Sequence, residues 1–237
     1  MKTENSQKGT LKFGIYSSLS LTILTVITFG LAMTAIPPSG PYCPGNCMSY
    51  PFPDILSYYP RDYYWMYLAV FQLFAYIIFV VTNHFIAPLE KKLYSFISVA
   101  FALISTTVLL ITYFTQFAVI PISVMKGETD GIALLTQYNG HGIFIALEEL
   151  GYIAMSISFL FLAPVFSFKS RIEKSISIIL IFQFVLNLFS FVFYAIKFGI
   201  DRSYRFEVAI ISINFILIIF IGILTSLYLK KLLNKND

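Results

Sequence analysis

Residues 138–168 read YNGHGIFIALEELGYIAMSISFLFLAPVFSF. A polar opening, Asn139-Gly140-His141-Gly142, leads into a short apolar run and then the adjacent carboxylates Glu148 and Glu149. Nineteen mostly apolar residues follow, Leu150 to Phe168. About 20 such residues suffice to cross the hydrocarbon of a bilayer as a helix, so the stretch reads as a membrane span with the chain's only adjacent acids at or inside its edge.

Outward from there the pattern repeats. Of 237 residues, 58% are hydrophobic, 18% aromatic and only 12% charged, and mean hydropathy is +0.80. Soluble domains carry roughly 25% charged residues; here the few charges are bunched between long uncharged runs. The runs predict an all-α integral membrane protein, a six-transmembrane-helix bundle forming one polytopic domain over residues 1–237, with spans near 13–36, 63–86, 93–120, 143–168, 175–198 and 207–229. The first run is longer than the ~7–15 residues of a signal-peptide core, and Met33-Thr34-Ala35 is a poor cleavage site, so a retained helix is expected.

Pro88 and Pro121 are read as the ends of the second and third spans. Residues 37–62 hold seven of the ten prolines and read as an irregular loop outside the hydrocarbon. The dense group Tyr58, Tyr59, Tyr63, Tyr64, Trp65 and Tyr67 reads as an interfacial aromatic belt. Residues 122–142 form a second long loop, with a short interfacial helix expected over Ile132–Tyr138.

Lys and Arg fix the expected orientation. With the N-terminus inside, Lys2, Lys8, Lys12, Lys91, Lys92, Lys169, Arg171, Lys174, Lys230, Lys231 and Lys235 lie on the cytoplasmic side, and Arg61, Lys126, Lys197, Arg202 and Arg205 outside. Eleven against five satisfies the positive-inside rule. Both termini are expected in the cytoplasm (N-in/C-in), with two extracytoplasmic loops, in the cell membrane. Cys43 and Cys47, flanking Pro44-Gly45 in the first loop, are expected to form a disulfide on the oxidising side.

Carboxylates at membrane depth mark ion paths, proton relays or buried partners. Two placements fit Glu148 and Glu149: at headgroup level near a helix N-terminus, where the macrodipole favours negative charge, or buried with partners. For the buried case, depth counting brings Gln72, Gln116, Asn214, Tyr194 and Lys197 to the outer half of the bundle, with Lys197 as counter-charge and Gln183 and Asn187 continuing the polar line. His141 lies about two turns above Glu148. Single amides of this kind also act as interhelical hydrogen-bond glue.

No nucleophile elbow, phosphate-binding glycine loop or paired-histidine zinc motif is present, so no cofactor or metal is expected and an enzyme is disfavoured. Basic runs interleaved with stacking aromatics are missing, which argues against nucleic acid. Two function classes stay open. One is a small-solute or proton-coupled transporter, or ligand-binding membrane component, with an outward-facing polar cavity. The other is a structural or accessory subunit docking a membrane-protein partner, or a homo-oligomer, through its outer loops.

Overall fold

The computed structural model describes residues 2–35, 37–166 and 168–235, with side chains from residue 7 onward. Eight α-helices occur among these residues, and no strand: α1 (Lys2–Ala32), α2 (Tyr64–Ile86), α3 (Lys92–Ala118), α4 (Ile120–Met125), α5 (Ile132–Leu135), α6 (Ile143–Leu162), α7 (Arg171–Phe198) and α8 (Tyr204–Lys235). Six helical segments, Gln7–Ala32, Arg61–Ile86, Leu89–Met125, Ile143–Val165, Arg171–Phe198 and Tyr204–Lys235, are long and apolar enough to cross a membrane.

Local chemistry sets the helix ends. Ser170 and Glu173 form a capping box: the Glu173 N–H donates to Ser170 Oγ at 3.3 Å, and the Ser170 N–H donates to Glu173 Oε2 at 2.8 Å. Two orphan donors are thereby satisfied, so α7 starts at Arg171, ahead of the expected 175. The third span differs as well. Proline has no N–H, and its ring clashes with the carbonyl four residues back. Pro121 therefore interrupts the helix at Val119, but the chain resumes as α4 and runs on to Met125. The expected helix over Ile132–Tyr138 contracts to α5, and α6 ends at Leu162 before a 3-10 turn over Ala163–Val165 containing Pro164. The expected end of the first span, Ile36, lies outside the described residues.

The spans close into a ring. Each long helix packs on its neighbours in chain order, α1 packs on α8, and α6 also touches α8 across the ring. Small residues permit the close approaches. A Cβ on Gly14 would sit 2.7 Å from Leu229 and 3.2 Å from Ile86, so the start of α1 lies beside the ends of α8 and α2. Both chain ends therefore share one face of the bundle. Ser98, Ala102 and Thr106 are buried along α3. There Ser158 donates to the Ser98 carbonyl at 2.8 Å, and Ser105 to the Gly151 carbonyl at 2.8 Å. Outward faces are apolar and unpaired: Phe182, Val185, Phe189, Val192 and Ile196 on α7 are all exposed, a pattern that suits lipid better than water.

The face opposite the chain ends carries a folded cap. Met48, Phe52, Ile55, Ile120, Ile132 and Tyr138 form a small core of their own beneath residues 37–62 and α4–α5. Cys43 and Cys47 are disulfide-bonded with Cα atoms 5.9 Å apart. The expected aromatic belt divides: Tyr59 and Tyr64 are exposed, whereas Tyr63 and Trp65 turn into the protein, where the Trp65 ring meets Tyr113 edge-on at 5.2 Å.

The α1–α8 seam yields a test. A Cβ on Gly222 would press on the Thr22 hydroxyl and lie 2.9 Å from the Ser18 carbonyl oxygen, and backbone there cannot give way without parting the helices. Gly222→Val should cost about 1–3 kcal/mol, the usual range for overpacking, read as a lowered melting temperature in detergent; an unchanged melt would mean that the seam is looser than described.

Candidate functional site

The second turn of α6 carries Glu148 and Glu149, about 100° apart around the helix axis, and each takes a different surrounding. Glu148 is 0% exposed and Glu149 5%. Both acids are buried within the ring of helices.

Glu148 faces α3 and α8. Tyr113 Oη donates to Glu148 Oε1 at 2.6 Å and lies 2.8 Å from Tyr152 Oη. Because the single Tyr113 proton goes to the carboxylate, the second contact is a donation from Tyr152 to Tyr113. Tyr152 stands four residues after Glu148 on the same helix face. Glu148 Oε2 makes no hydrogen bond, and the carboxyl of Glu207 on α8 lies near enough for the two acids to interact. Three acids thus meet at this level of the bundle.

Glu149 turns toward the connection between α7 and α8. It accepts from Arg202 Nη2 at 2.6 Å. The guanidinium lies 5.3 Å from the Phe191 ring centre and 5.7 Å from that of Phe206, so cation–π contacts hold it in the orientation that serves the carboxylate.

Glu207 also belongs to the wall of a cavity of about 180 Å³. The cavity lies among the end of α1, the starts of α2, α6 and α8, and cap residues Pro37–Tyr42 and Gln137–Tyr138. Its wall residues Met33, Tyr42 and Val208 are exposed, so it opens at the surface where α1 ends and α8 begins. Asp62 and Trp65 line it from α2 and the turn before it. Burial, first of all, pushes the Tyr42 and Tyr138 phenols above their usual range. A separate recess beside Glu149 and Arg202 is lined by His141, Gly199 and Ser203.

The residues expected to converge do so only in part. Lys197 is not the cation beside the glutamates; it lies over the rings of Phe193 and Phe198 at 5.5 and 5.3 Å, and Arg202 takes the expected role. Tyr194 stacks on Phe198, ring centres 5.9 Å apart. Gln72 donates to Thr25 Oγ1 at 3.0 Å, joining α2 to α1. Asn214 accepts from Gln183 Nε2 at 2.6 Å, joining α8 to α7. Gln116 donates to the Leu135 carbonyl at 2.7 Å and accepts from the Gln137 N–H at 2.8 Å, pinning the cap to α3. His141 is exposed at the mouth of the smaller recess. Residues that sequence reasoning missed are Glu207, Tyr113 and Arg202. Glu207 was read as the first residue of the last span, whereas α8 begins at Tyr204 and carries it one turn inward.

No group of three or more His, Cys, Asp or Glu side chains among the described residues is arranged to hold a metal ion. No family model matches the chain, and no curated protein or solved structure is detectably similar to it.

The Glu149–Arg202 pair is testable as a pair. Arg202→Met leaves a carboxylate uncompensated inside the protein and should destabilise on the order of 2 kcal/mol, less than for a fully buried pair because Arg202 remains partly in water. Adding Glu149→Gln should restore more than half of that loss in a double-mutant cycle. Equal melting of the single and double variants would show that the pair contributes nothing.

Proposed function

We propose that this chain is a six-span protein of the cell membrane that binds a small solute in the cavity beside Glu207 and couples its movement to a proton carried by the Glu148–Glu207 pair. The observation that carries the reading is the position of Glu207. Its carboxyl faces Glu148 on one side and forms part of the cavity wall on the other, so a proton on the pair and a solute in the cavity are within reach of one another. Two carboxylates brought together, one buried and the other half-buried at the cavity wall, repel, and a proton shared between them removes the repulsion. Tyr113 and Tyr152 extend the hydrogen-bonded chain into the bundle. Arg202 satisfies Glu149, which leaves the Glu148–Glu207 pair as the one to load and unload.

The charge distribution supports an outward-facing cavity. With eleven basic residues on one side of the spans and five on the other, both chain termini belong in the cytoplasm, and the cavity and disulfide-closed cap belong outside.

A hydrophobic carbodiimide tests the proton. It modifies carboxyl groups that carry a proton in apolar surroundings. Lipid-embedded protein treated across pH 5 to 9 and mapped by mass spectrometry should be labelled at Glu148 or Glu207 at neutral pH, and not at the exposed acids Asp54 and Glu128. Glu148→Gln should abolish labelling at Glu207, because the remaining acid loses the partner with which it shares a proton. Absence of labelling at both glutamates throughout that range would overturn proton coupling and favour an accessory subunit that acts through a partner protein.

A further inference from the structure

The same cavity has a chemical bias that the proton pair does not explain. Among the described residues its wall contains two carboxylates, Asp62 and Glu207, and no Lys, Arg or His. Six aromatic rings complete it: Phe29, Tyr42, Trp65, Tyr138, Phe144 and Tyr204. Asp62 is only 2% exposed. Its Oδ1 is ion-paired at 2.7 Å with Arg61 Nε, whose guanidinium is itself mostly exposed and outside the wall, while the buried Oδ2 has no partner. A buried carboxylate oxygen left unpaired costs free energy that a bound N–H donor, or a cation lying against it, would recover in part.

We infer that the cavity is a binding site for a small organic cation, an alkylammonium or quaternary ammonium group, held between Asp62 and Glu207 and enclosed by Trp65, Tyr42, Tyr138 and Tyr204. Ring faces attract such a cation electrostatically, most strongly where water is excluded, and cages of this composition are how proteins recognise quaternary ammonium ligands. Anions are disfavoured, since two acids line the wall and no basic side chain does. A hard divalent ion needs about six to eight oxygen ligands, and no such cluster of acids is present among the described residues. An uncharged solute could donate to Asp62 Oδ2 but would gain no electrostatic attraction from the ring faces or the two acids. Size agrees: an apolar cavity of ~150 Å³ holds one benzene, and this one measures about 180 Å³, enough for a compact ammonium with a short chain. The inference names the charge class of the solute in the transport reading and rests on that reading for movement alone; binding stands by itself.

The chain contains a single tryptophan, Trp65, in the cavity wall, so its fluorescence reports occupancy directly. The full-length protein in nanodiscs would be titrated with choline, tetramethylammonium and n-butylammonium chlorides, and with 3,3-dimethyl-1-butanol, the uncharged isostere of choline. At least one of the cations should give a saturable change, with the isostere at least tenfold weaker. Asp62→Asn, with unchanged melting, should weaken the cation at least tenfold, and Phe144→Leu, which keeps the wall apolar, should weaken it several-fold. Saturation by none of the three cations, or binding of the isostere as tight as that of choline, would overturn the inference. So would an Asp62→Asn protein that binds undiminished. The two proposals fail separately: cation binding without carbodiimide labelling removes proton coupling and leaves the site, while labelling without cation binding removes the site and leaves the proton pair.

Discussion

The arrangement of α3, α6 and α8 depends on how two buried glutamates, Glu148 and Glu149, and the half-buried Glu207 beside them are accommodated. A carboxylate taken out of water must recover its solvation from partners, and each partner here sits on a different element. Tyr113 reaches Glu148 from α3, Glu207 faces it from α8, and Arg202 reaches Glu149 from the connection between α7 and α8. The hydrogen bonds thereby fix the relative rotation of helices whose apolar surfaces alone would tolerate several. Apolar packing brings helices together without choosing between neighbouring registers; a 2.6 Å hydrogen bond from Tyr113 to Glu148 chooses one. The ring-crossing contact between α6 and α8 is the place where that choice is made.

The cap depends on the same economy of polar groups. A loop rich in proline has few backbone donors and cannot build a ladder, so its order comes from side chains and from neighbours. Ser39 donates to the Tyr138 carbonyl at 2.6 Å and lies 2.9 Å from the Tyr204 hydroxyl, and Gln116 holds both Leu135 and Gln137. These bonds tie the first loop to the second and both to the bundle. The wall of the cavity is built from the pieces so joined, which is why Asp62 and Tyr138, far apart in sequence, face the same space.

Six spans were legible because each needs only a run of apolar residues, a one-dimensional signal. Direction around the helix was not legible. Counting residues from a boundary assigned Gln72, Asn214 and the glutamates to similar levels, but Glu207, and not Asn214 seven residues further along α8, is the residue that faces Glu148, and level says nothing about which way a side chain points around its helix. Gln72 turned out to face α1 and Asn214 to face α7, each satisfied by one neighbour. Lys197 and Arg202 are separated by a helix end and the positive-φ residue Gly199, so the cation expected on the helix gave way to one in the turn after it. Glu207 was hidden by a boundary error of three residues. The break at Val119 was hidden because proline marks where a helix is disturbed and not whether it resumes.

Several amides of the bundle serve to join its helices. Gln72, Gln116 and Asn214 are each bonded to a neighbouring element, as expected of groups whose purpose is to join helices. The atoms left without ordinary partners include Asp62 Oδ2, Gln137 Nε2 and Glu148 Oε2. The first two residues line the cavity, and the third is one carboxyl removed from it, behind Glu207. Asn187 on α7 is also buried and unpartnered, and nothing in the structure accounts for it. Unpartnered atoms also occur away from the cavity, at Thr28, Tyr76, Thr106, Gln183 and Thr225, so what distinguishes Asp62 is position: its unpartnered Oδ2 belongs to a residue in a wall otherwise made largely of aromatic rings.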